Sequence, residues 1–387
     1  MSVARSSNII YMIDGLGLGG AERLMIPLLA NLDREAFLPR VCVFQVRDGN
    51  PIAEDLNSLG VPVDLLPIPY LRDLSALPRL WRYLRDTRAD LVHTQLEFAN
   101  ILGNLAAKGA RLPSVCTVHT IPSQEDMKAK TRLHQAVEFF CLRNFCDTVI
   151  SVSEEADRFH KQVGRLSSRK TTTLYNGIDL ARFTADSQRA DPQAVRREFD
   201  IPAAAPLLLT VAVLRELKGI QFMIQAMPAI LAEQPEARYL IVGSGDHHVQ
   251  LVEEVRRLGL ENRVIFAGAR KDIPALMSAA DVFVLPTLTE ALPTVLAEAM
   301  AARLPIVASR VGGVPEMVTD GVNGRLLEPG DPRQLAETCL ELLARPEVRA
   351  EMGGRGRSIV EQKFDVRVQA EHLRALYQRL MESYGKR

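Results

Sequence analysis

Short apolar runs rich in β-branched residues alternate with amphipathic helical segments along nearly the whole chain. This alternation is the βαβ pattern of parallel sheets, and it restricts the fold more than any other feature of the sequence. The predicted strands are 8–14, 40–45, 90–94, 114–119, 147–152 and 170–175 in the first half, and 207–213, 237–242, 264–267, 281–285, 305–309 and 324–327 in the second. The predicted fold class is therefore α/β, with two doubly wound domains. Ligands of such sheets bind beyond the carboxyl ends of the strands, so we expect a site in a cleft between facing domains.

The two sets of strands are separated by residues 183–206, which have no strand pattern and contain several prolines. We interpret this stretch as an interdomain connection with one short helix, 193–199. The tail, residues 346–384, is predicted to be helical throughout. The predicted domains are an N-terminal one at 1–185, a C-terminal one at 186–364, and a C-terminal helix at 365–387 that packs back on the N-terminal domain. A length of 387 residues agrees with two to three domains of roughly 150 residues.

Charge and composition exclude several classes of protein. The 47 Lys and Arg balance the 47 Asp and Glu, so the chain has no bulk field to hold a polyanion, and nucleic-acid binding is not expected. No apolar run approaches the ~18 residues of a membrane span, and the N-terminus has no export signal. The five cysteines are an odd number without a CxxC pair. This predicts buried, reduced thiols in a cytoplasmic protein and no zinc site.

The first candidate motif is a glycine-rich turn between the first strand and a helix. Gly15, Gly17 and Gly20 satisfy G-x-G-x-x-G, and the helix that follows offers free amides to a phosphate. A dinucleotide-binding enzyme would also carry an acid at the end of its second strand, where this chain has Gln45-Val46-Arg47. The motif alone therefore leaves open a dinucleotide fold, another phosphate site or a turn needed only for packing.

The second motif lies between the strand that ends near Pro286 and the next helix. Pro293 suits the first turn of that helix, whose free amides at Thr294 and Val295 would be aimed at an anion. Glu290 precedes the helix and Glu298 lies more than a turn into it, so the two carboxylates do not stack on one face. They are expected to hold different parts of one long ligand, and two solvated glutamates are the alternative.

The third motif is the first strand-to-helix turn of the second half. Lys218, with Arg215 nearby, can neutralise a leaving diphosphate. Charge-assisted hydrogen bonds of this kind contribute ~1.5–3 kcal/mol each. Solvated loop charges are the alternative interpretation.

Taken together, these residues resemble the retaining nucleotide-sugar glycosyltransferases of glycosyltransferase family 4, which have the GT-B architecture of two Rossmann-like domains. The resemblance runs from Met12 to about Phe364. The matching segments, in order, are 17–23, His119, Ser151-Val152-Ser153, Asn176-Gly177-Ile178-Asp179, Lys218-Gly219, Val242-Gly243-Ser244-Gly245, 290–300 and 308–324.

The resemblance implies that the nucleotide binds the C-terminal domain and the acceptor the N-terminal one. It implies that Glu298 holds the ribose hydroxyls, Lys218 the diphosphate and Glu290 the hydroxyls of the donor sugar. The amides of Thr294 and Val295 would take the distal phosphate, with the Gly19-Gly20 turn joining from the other domain. The implied catalytic residues are Glu290, His119 and Lys218, with His119 near the reacting sugar. The implied donor-binding residues are Gly19, Gly20, Arg215, Lys218, Gly243, Arg270 (near the nucleobase), Glu290, Leu292, Thr294, Val295 and Glu298.

Three positions depart from the family pattern. Val213 stands where the family usually has an arginine. Arg215 is the candidate to supply that charge, and a loop that uses Lys218 alone is the alternative. Ala291-Leu292-Pro293 replaces a common Gly-Phe-Gly, which changes the shape of the loop without removing donor amides. Thr120 follows His119 where many relatives carry an acid.

In such a reaction the bond between an anomeric carbon and a diphosphate breaks, and the family resemblance favours front-side attack in which the leaving phosphate accepts the acceptor's proton. Double displacement is the other route to retention. No D-x-D occurs in the chain, so metal independence is expected, and no cofactor. The favoured donor is a UDP-sugar. The expected acceptor is a hydroxyl of a glycan, a lipid-linked sugar or a small molecule, in bacterial cell-surface polysaccharide or glycoconjugate synthesis. A nicotinamide-dependent oxidoreductase or nucleotide-sugar epimerase, and a non-catalytic sugar-nucleotide binder, are the alternatives.

Two basic segments beside aromatic residues raise the possibility of peripheral contact with the inner membrane surface. One has arginines at every third residue around Leu80, Trp81 and Leu84; the other precedes Phe139-Phe140. Such faces can dock on anionic lipid. The alternative is a solvated helix face that covers a sheet. The basic residues are Arg79, Arg82, Arg85 and Arg88 in the first segment, and Lys128, Lys130 and Arg132 in the second.

Overall fold

A computed structural model of the chain describes residues 6–17, 19–73, 75–119 and 129–385, without the side chains of 129–131. The chain divides into two compact units. The first consists of Met1–Gly177 and Val366–Arg387, and the second of Ile178–Asp365. Residues 178–185, which lie before the predicted domain boundary at 185, belong to the second unit.

The first unit contains a parallel sheet of seven strands. They are β1 (Ser7–Ile13), β2 (Phe37–Val43), β3 (Val63–Leu65), β4 (Leu91–Gln95), β5 (Ser114–Val118), β6 (Thr148–Ser151) and β7 (Thr171–Thr173). Their spatial order is β3-β2-β1-β4-β5-β6-β7, which reverses direction between β1 and β4. Gln95 pairs with Ile13 on one side and with Thr117 on the other. The loops after β1, β4 and β5 therefore begin at one edge of the sheet, where doubly wound sheets bind ligands.

Helices cover both faces of this sheet. In chain order they are α1 (Gly20–Ala30), α2 (Ile52–Ser58), α3 (Ala76–Asp86), α4 (Asn104–Gly109), which follows a π-helical turn at Ala99–Gly103, α5 (Ala129–Phe145) and α6 (Glu154–Gln162). Alternate residues of β1 enter different cores: Ile9 and Tyr11 belong to one buried cluster, and Ile10 and Met12 to another. A strand buried on both faces reads as a continuous apolar run, as the sequence of β1 does.

The second unit contains a parallel sheet of six strands. They are β8 (Leu207–Val211), β9 (Arg238–Val242), β10 (Val264–Gly268), β11 (Val282–Leu285), β12 (Ile306–Ser309) and β13 (Gly324–Leu327), in the order β10-β9-β8-β11-β12-β13. Its helices are α7 (Leu180–Arg189), α8 (Pro192–Glu198), α9 (Ile220–Glu233), α10 (His248–Arg257), α11 (Ile273–Ala279), α12 (Thr294–Ala301), α13 (Val314–Met317), α14 (Pro332–Leu343) and α15 (Pro346–Lys363). The direction of winding reverses between β8 and β11, again placing a site at the strands' carboxyl edge.

The last helix, α16 (Val366–Gly385), belongs to the first unit. Its apolar face, including Leu373, Leu376 and Tyr377, is buried in the cluster that also contains Tyr11. The Tyr377 hydroxyl lies 2.7 Å from the Tyr11 hydroxyl and also contacts His93 Nδ1. The core of the first unit is therefore built from two distant stretches of the chain.

The two doubly wound α/β domains confirm the predicted fold class, and three elements correct the sequence analysis. The edge strand β3 was not predicted, because three residues carry too little alternation to be recognised. The connection at 183–206 carries helix α8 and most of α7, not one helix. Helix α7 begins where the Asp179 carboxylate accepts a hydrogen bond from the Arg182 amide at 2.9 Å. The tail is not helical throughout: α15 and α16 are separated at Phe364 and Asp365, where the chain passes from one unit to the other.

In the described part of the chain, no helix combines the length and the apolar character that a membrane crossing requires. All five cysteines are buried and free, as predicted.

Candidate active site

Lys218 and Glu290 form an ion pair at the carboxyl edge of the second sheet. Lys218 ends a 3₁₀ turn (Glu216–Lys218) in the loop after β8, and Glu290 lies in the loop between β11 and α12. Their side chains are 25% and 12% exposed, so the pair is largely shielded from water without being fully buried. The structure thus brings together two of the three predicted catalytic residues, which are 72 positions apart.

Backbone contacts hold the two loops against each other. The Leu288 amide donates to the Leu217 carbonyl at 2.8 Å, and the Thr287 hydroxyl donates to the same oxygen at 3.1 Å. Gly219 has φ +65°, and a Cβ there would lie 1.9 Å from the Pro286 carbonyl oxygen. Only glycine allows this approach, so the Lys218-Gly219 pair of the motif has a structural reason.

A third loop supports Glu290 from the end of β12. Gly312 has φ +49°, and a Cβ at this position would lie 1.6 Å from the carbonyl oxygen of Glu290. The backbone of residue 290 therefore rests directly on this glycine. The side chain of Glu290 is positioned by loops from three strands, which is the pre-organisation expected of a binding site.

Helix α12 begins at Thr294, one residue later than the sequence predicts, and Pro293 is its N-cap. The first amides of a helix have no intrahelical partner, so those of Thr294 and Val295 are donors at its positive end. Leu292 is buried and Glu298 is partly exposed one turn further along the helix. The segment therefore offers amide donors and two carboxylates in succession.

Two further donor-site candidates lie in neighbouring loops. The Gly243 amide donates to the Gly268 carbonyl at 2.8 Å, which ties the loop after β9 to the end of β10. Arg215 is exposed, and no ion pair of its guanidinium is found among the described residues. Its carbonyl accepts a hydrogen bond from the Lys218 amide at 2.9 Å, so both cations stand on one short loop. Whether Arg215 supplies the charge missing at Val213 stays a prediction.

Arg270 is engaged in contacts of its own. Its guanidinium pairs with Glu198 and, at 2.7 Å, with Asp272, and it lies 5.6 Å from the centre of the Phe199 ring. The two carboxylates raise the pKa of Arg270 above its ordinary value. A contact with a nucleobase would therefore come from the backbone at this position, and the predicted role of the residue is untested.

His119, the third predicted catalytic residue, lies in the first unit just after β5. Its Nε2 is 3.2 Å from the Gln95 side-chain oxygen, and its Nδ1 is buried without a hydrogen-bond partner among the described residues. Burial lowers the pKa of His119 to about 4, so the imidazole is neutral at pH 7. Thr120, whose identity departs from the family pattern, lies outside the described residues.

The glycine-rich turn after β1 is filled by side chains of its own unit. A Cβ at Gly15 would lie 2.6 Å from Arg47 Cγ, so the Arg47 side chain covers this glycine. A Cβ at Gly19 would lie 2.2 Å from a carboxylate oxygen of Glu22, which is 7% exposed. Gly19 and Gly20 themselves are exposed at the start of α1. The position that a dinucleotide enzyme needs for its pyrophosphate therefore already faces a carboxylate.

Beside this turn, the first unit contains a cavity of about 310 Å³. The sequence analysis missed most of its polar residues: it gave Asp14 no role and did not consider Asn100 or Glu138. Burial, with a smaller contribution from the nearby Glu97 carboxylate, raises the pKa of Asp14 to about 6 and that of Glu138 to about 7. Glu138 lies on the inward face of an otherwise apolar helix segment, beside Phe139 and Leu142. An acidic residue at such a position is the sequence signal that would have indicated this cavity.

Family models match both halves of the chain. The model described as Glycosyltransferase Family 4 matches residues 18–182, and that described as Glycosyl transferases group 1 matches residues 191–359.

Similar curated proteins and solved structures agree with these matches. An N-acetyl-alpha-D-glucosaminyl L-malate synthase of Bacillus anthracis is 27% identical over 300 residues, 76% of each chain. A UDP-Gal:alpha-D-GlcNAc-diphosphoundecaprenol alpha-1,3-galactosyltransferase of Escherichia coli is 26% identical over 326 residues, covering 81% of this chain and 82% of that protein. The crystal structure of Anabaena HepE in complex with UDP has a TM-score of 0.83 and 26% identity, covering 96% of this chain and 99% of that one. A complex of HepE with UDP-glucose has a TM-score of 0.81, covering 98% of this chain and 100% of that one.

These matches leave the oxidoreductase and epimerase alternatives without support. Two doubly wound sheets, the ordered motifs and family matches to both halves agree on one assignment: the chain is a glycosyltransferase of family 4, with the GT-B fold and a nucleotide-sugar site.

Proposed function

We propose that this enzyme transfers a sugar from a UDP-sugar to a hydroxyl of a glycan, a lipid-linked sugar or a small-molecule acceptor, with retention of anomeric configuration. The observation that carries the proposal is the Lys218–Glu290 pair, held by three loops at the strand edge that also contains the start of α12. A donor needs a cation and amides for its diphosphate and a carboxylate for its sugar hydroxyls. The second unit supplies the cation from the loop after β8, and it supplies the carboxylate and the amides from the segment between β11 and α12.

The chemistry follows from where charge develops. As the anomeric bond breaks, negative charge grows on the leaving phosphate and positive charge on the sugar. Lys218 and the amides of Thr294 and Val295 would stabilise the phosphate, and loss of one such donor typically costs ~2.7–4 kcal/mol in the barrier. Glu290, freed from its ion pair when the diphosphate takes Lys218, would accept hydrogen bonds from the donor sugar.

Retention by front-side attack needs no protein nucleophile. In this route the acceptor oxygen bonds to the anomeric carbon on the face that the phosphate leaves, and the phosphate takes the acceptor's proton. A neutral His119, with its pKa lowered by burial, would contribute hydrogen bonds without adding positive charge beside the oxocarbenium-like sugar. The anomeric coupling constant of the product, measured by NMR, tests this: a product anomer opposite to that of the donor would contradict retention.

Support for uracil as the base comes from the UDP and UDP-glucose complexes of HepE. The E. coli relative is named for a lipid-linked, diphosphoundecaprenol acceptor, which favours cell-surface polysaccharide or glycoconjugate synthesis as the process. We place the enzyme in the cytoplasm, a proposal supported by its five free cysteines.

Calorimetry against UDP, GDP, ADP and NAD, without added metal, tests the donor site. We expect UDP to bind best, and Glu298→Gln to weaken it by roughly 10- to 100-fold, because a charge-assisted hydrogen bond to the ribose is lost. Glu337→Gln, an exposed glutamate on α14, is the matched control and should bind as the wild type does. Binding of NAD alone, indifferent to Glu298, would contradict the proposal.

Metal independence is a separate part of the proposal. Within the described residues, no group of three or more His, Cys, Asp or Glu side chains has the arrangement of a metal site. We expect turnover to be unchanged by EDTA. Loss of activity that manganese restores would show that a cation bridges the diphosphate.

Peripheral membrane contact is supported by exposed residues on helix α5 of the first unit, where Leu133 and Phe140 are exposed, as is Arg132. On α3, Leu80 and Leu84 are buried and Arg82 is exposed, which agrees with a solvated helix face that covers the sheet. Lys128 lies outside the described residues, as does the side chain of Lys130. We expect the enzyme to cosediment with vesicles containing anionic lipid and not with neutral ones. Protein that stays in the supernatant with both would contradict docking.

A further inference from the structure

The cavity of about 310 Å³ in the first unit includes His119, but the proposed donor chemistry gives no role to the acidic residues that line it. It opens at the carboxyl edge of the sheet, beside the ends of β1, β4 and β5, and its remaining wall comes from α5 and α6. Its volume is at the lower end of that of small-molecule sites, which suits one sugar ring. Its polar residues are Asp14, Arg47, Glu97, Asn100, Thr117, His119, Gln135, Glu138 and His160.

Among the residues that line this cavity, the buried side-chain atoms without a hydrogen-bond partner in the described chain are acceptors. Asn100 is 1% exposed; its amide nitrogen donates to Glu138 at 2.7 Å, and its Oδ1 has no partner in the described chain. His119 donates from Nε2 to the Gln95 oxygen, which leaves the buried Nδ1 as an acceptor without a donor among the described residues. A buried acceptor that stays unpaired costs about 1–3 kcal/mol, so a ligand that donates to both atoms would recover this energy.

Negative charge on the cavity wall exceeds positive charge. Asp14 accepts hydrogen bonds from the amides of Phe98 and Ala99, and Arg47 is 3.6 Å away. Glu97 Oε1 lies 2.9 Å from His134 Nδ1, although the two atoms are not aligned for a hydrogen bond. Glu138 has no cationic partner within the described residues, and its only hydrogen bond found there is the one from Asn100.

We propose that this cavity binds a protonated primary amine, and that the acceptor of this enzyme is an amino sugar or another amine-bearing polyol. The claim about the acceptor rests on the proposed function, whereas the amine site itself does not. An ammonium group has three donors and no acceptor, so it matches unpaired acceptors beside carboxylates. A hydroxyl offers one donor, and its lone pairs would face the carboxylates.

The titrating groups of the cavity provide a second readout. Glu138 faces Asp14, Arg47, Glu97, His119 and His160 across the cavity. Burial lowers the pKa of both histidines to about 4, so they stay neutral near pH 6.5. Asp14 and Glu138, with pKa values of about 6 and 7, are partly protonated at that pH. A bound cation favours their ionised forms, so binding should release protons.

Calorimetry at pH 6.5 with glucosamine, N-acetylglucosamine and glucose as probes tests the proposal. We expect glucosamine to bind at least tenfold more tightly than the two neutral sugars. Its heat should differ between buffers of different ionisation enthalpy, because protons are released, and the heats of the neutral sugars should not. Glu138→Gln keeps an oxygen for Asn100 and should remove most of the preference for the amine and most of the proton release. Glu35→Gln, an exposed glutamate of the same unit, is the control.

Equal affinities for the three sugars, no glucosamine binding, or a preference that Glu138→Gln leaves intact would each overturn the proposal. The melting temperature of each variant confirms that it is folded. A parallel UDP titration separates the two proposals. UDP binding without amine preference refutes only the cavity's role, whereas amine preference without nucleotide binding refutes only the donor site.

Discussion

Gly312 is the single position on which the geometry of Glu290 depends most directly. In Gly312→Ala the new Cβ would lie 1.6 Å from the Glu290 carbonyl oxygen, so the loop that carries Glu290 must move. Because a misplacement of about 1 Å can cost on the order of 100-fold in rate, we expect kcat/KM to fall by roughly that factor. Steady-state kinetics with the natural or best surrogate donor would measure it.

Gly321→Ala is the matched control, because it separates backbone strain from displacement. Gly321 also has a positive φ, +73°, but its nearest neighbour would be an Arg325 nitrogen at 3.4 Å. Both variants should lose about 1 kcal/mol of stability from the left-handed backbone, and only Gly312→Ala should lose activity. Equal activities in the two variants would show that the Glu290 loop tolerates movement.

Glu138 should make the stability of the protein depend on pH. Burial raises the pKa of this carboxyl to about 7 in the folded state, against an ordinary value of 4.5, so the folded state binds more protons than the unfolded state between these values. The contribution of Glu138 to the free energy of unfolding of the wild type should therefore fall as the pH rises from about 4.5 to 7. The Glu138→Gln protein lacks this titration. Between pH 4.5 and pH 8, the difference in the free energy of unfolding between the variant and the wild type should therefore shift by about 1–3 kcal/mol in favour of the variant.

Urea unfolding at a series of pH values would measure this difference. Other carboxylates titrate in both proteins, so the difference between the two curves isolates Glu138. A difference that is flat with pH would mean that Glu138 titrates normally and that the cavity is well solvated.

At the residue scale, the sequence indicates candidate residues most clearly where a motif is local. Lys218-Gly219 and the segment from Glu290 to Glu298 stand out because their spacing is typical of loop-to-helix turns, and their roles in donor binding stay predictions. Asn100 and Glu138 were not found, because they meet only through the packing of α5 against the π-helical turn, 38 residues apart. Such a contact is non-local, and one sequence without its fold contains no pattern for it.

Helix α16 stabilises the first unit through one buried polar cluster. The Tyr377 hydroxyl contacts the Tyr11 hydroxyl and His93 Nδ1, and His93 Nε2 lies 2.7 Å from the Thr117 hydroxyl. In Tyr377→Phe the helix keeps its apolar contacts, but His93 and Tyr11 lose a buried partner. We expect a loss of about 1–3 kcal/mol in the free energy of unfolding, measured in urea. Tyr70→Phe, at a side chain that is 70% exposed, should change nothing measurable. A stable Tyr377→Phe protein would mean that water satisfies the cluster.

The elements that the sequence missed are those in which local pattern is weak and tertiary contact is strong. β3 forms because its backbone completes the edge of β2, not because of its three side chains. The break between α15 and α16 follows from pairing between distant segments: the Ile178 amide donates to the Phe364 carbonyl at 2.9 Å, and Ile178 and Asp365 form an isolated bridge. Neither residue type at the break predicts a helix end, so periodicity alone continues the helix through it.

Over the whole molecule, each unit has its own core and its own candidate site. The only tryptophan, Trp81, lies on α3 of the first unit, where its indole N–H donates to the Ala106 carbonyl at 3.1 Å. Tryptophan fluorescence therefore reports the unfolding of the first unit, whereas far-UV circular dichroism reports both. The proposed donor-binding residues are almost all in the second unit, so the two signals should respond differently to a bound nucleotide.

We therefore expect UDP and a change in α16 to act on different parts of one unfolding curve. At 100 times its dissociation constant, UDP should stabilise the state that binds it by about 2.7 kcal/mol. The urea midpoint of the circular-dichroism transition should rise more than that of the fluorescence transition, because most of the proposed nucleotide-binding residues lie in the unit without tryptophan. Tyr377→Phe should lower the fluorescence midpoint and leave the UDP-dependent shift in place. Superimposable curves that move together under both changes would mean that the units unfold as one, and that UDP binding stabilises the core of the first unit as strongly as that of the second.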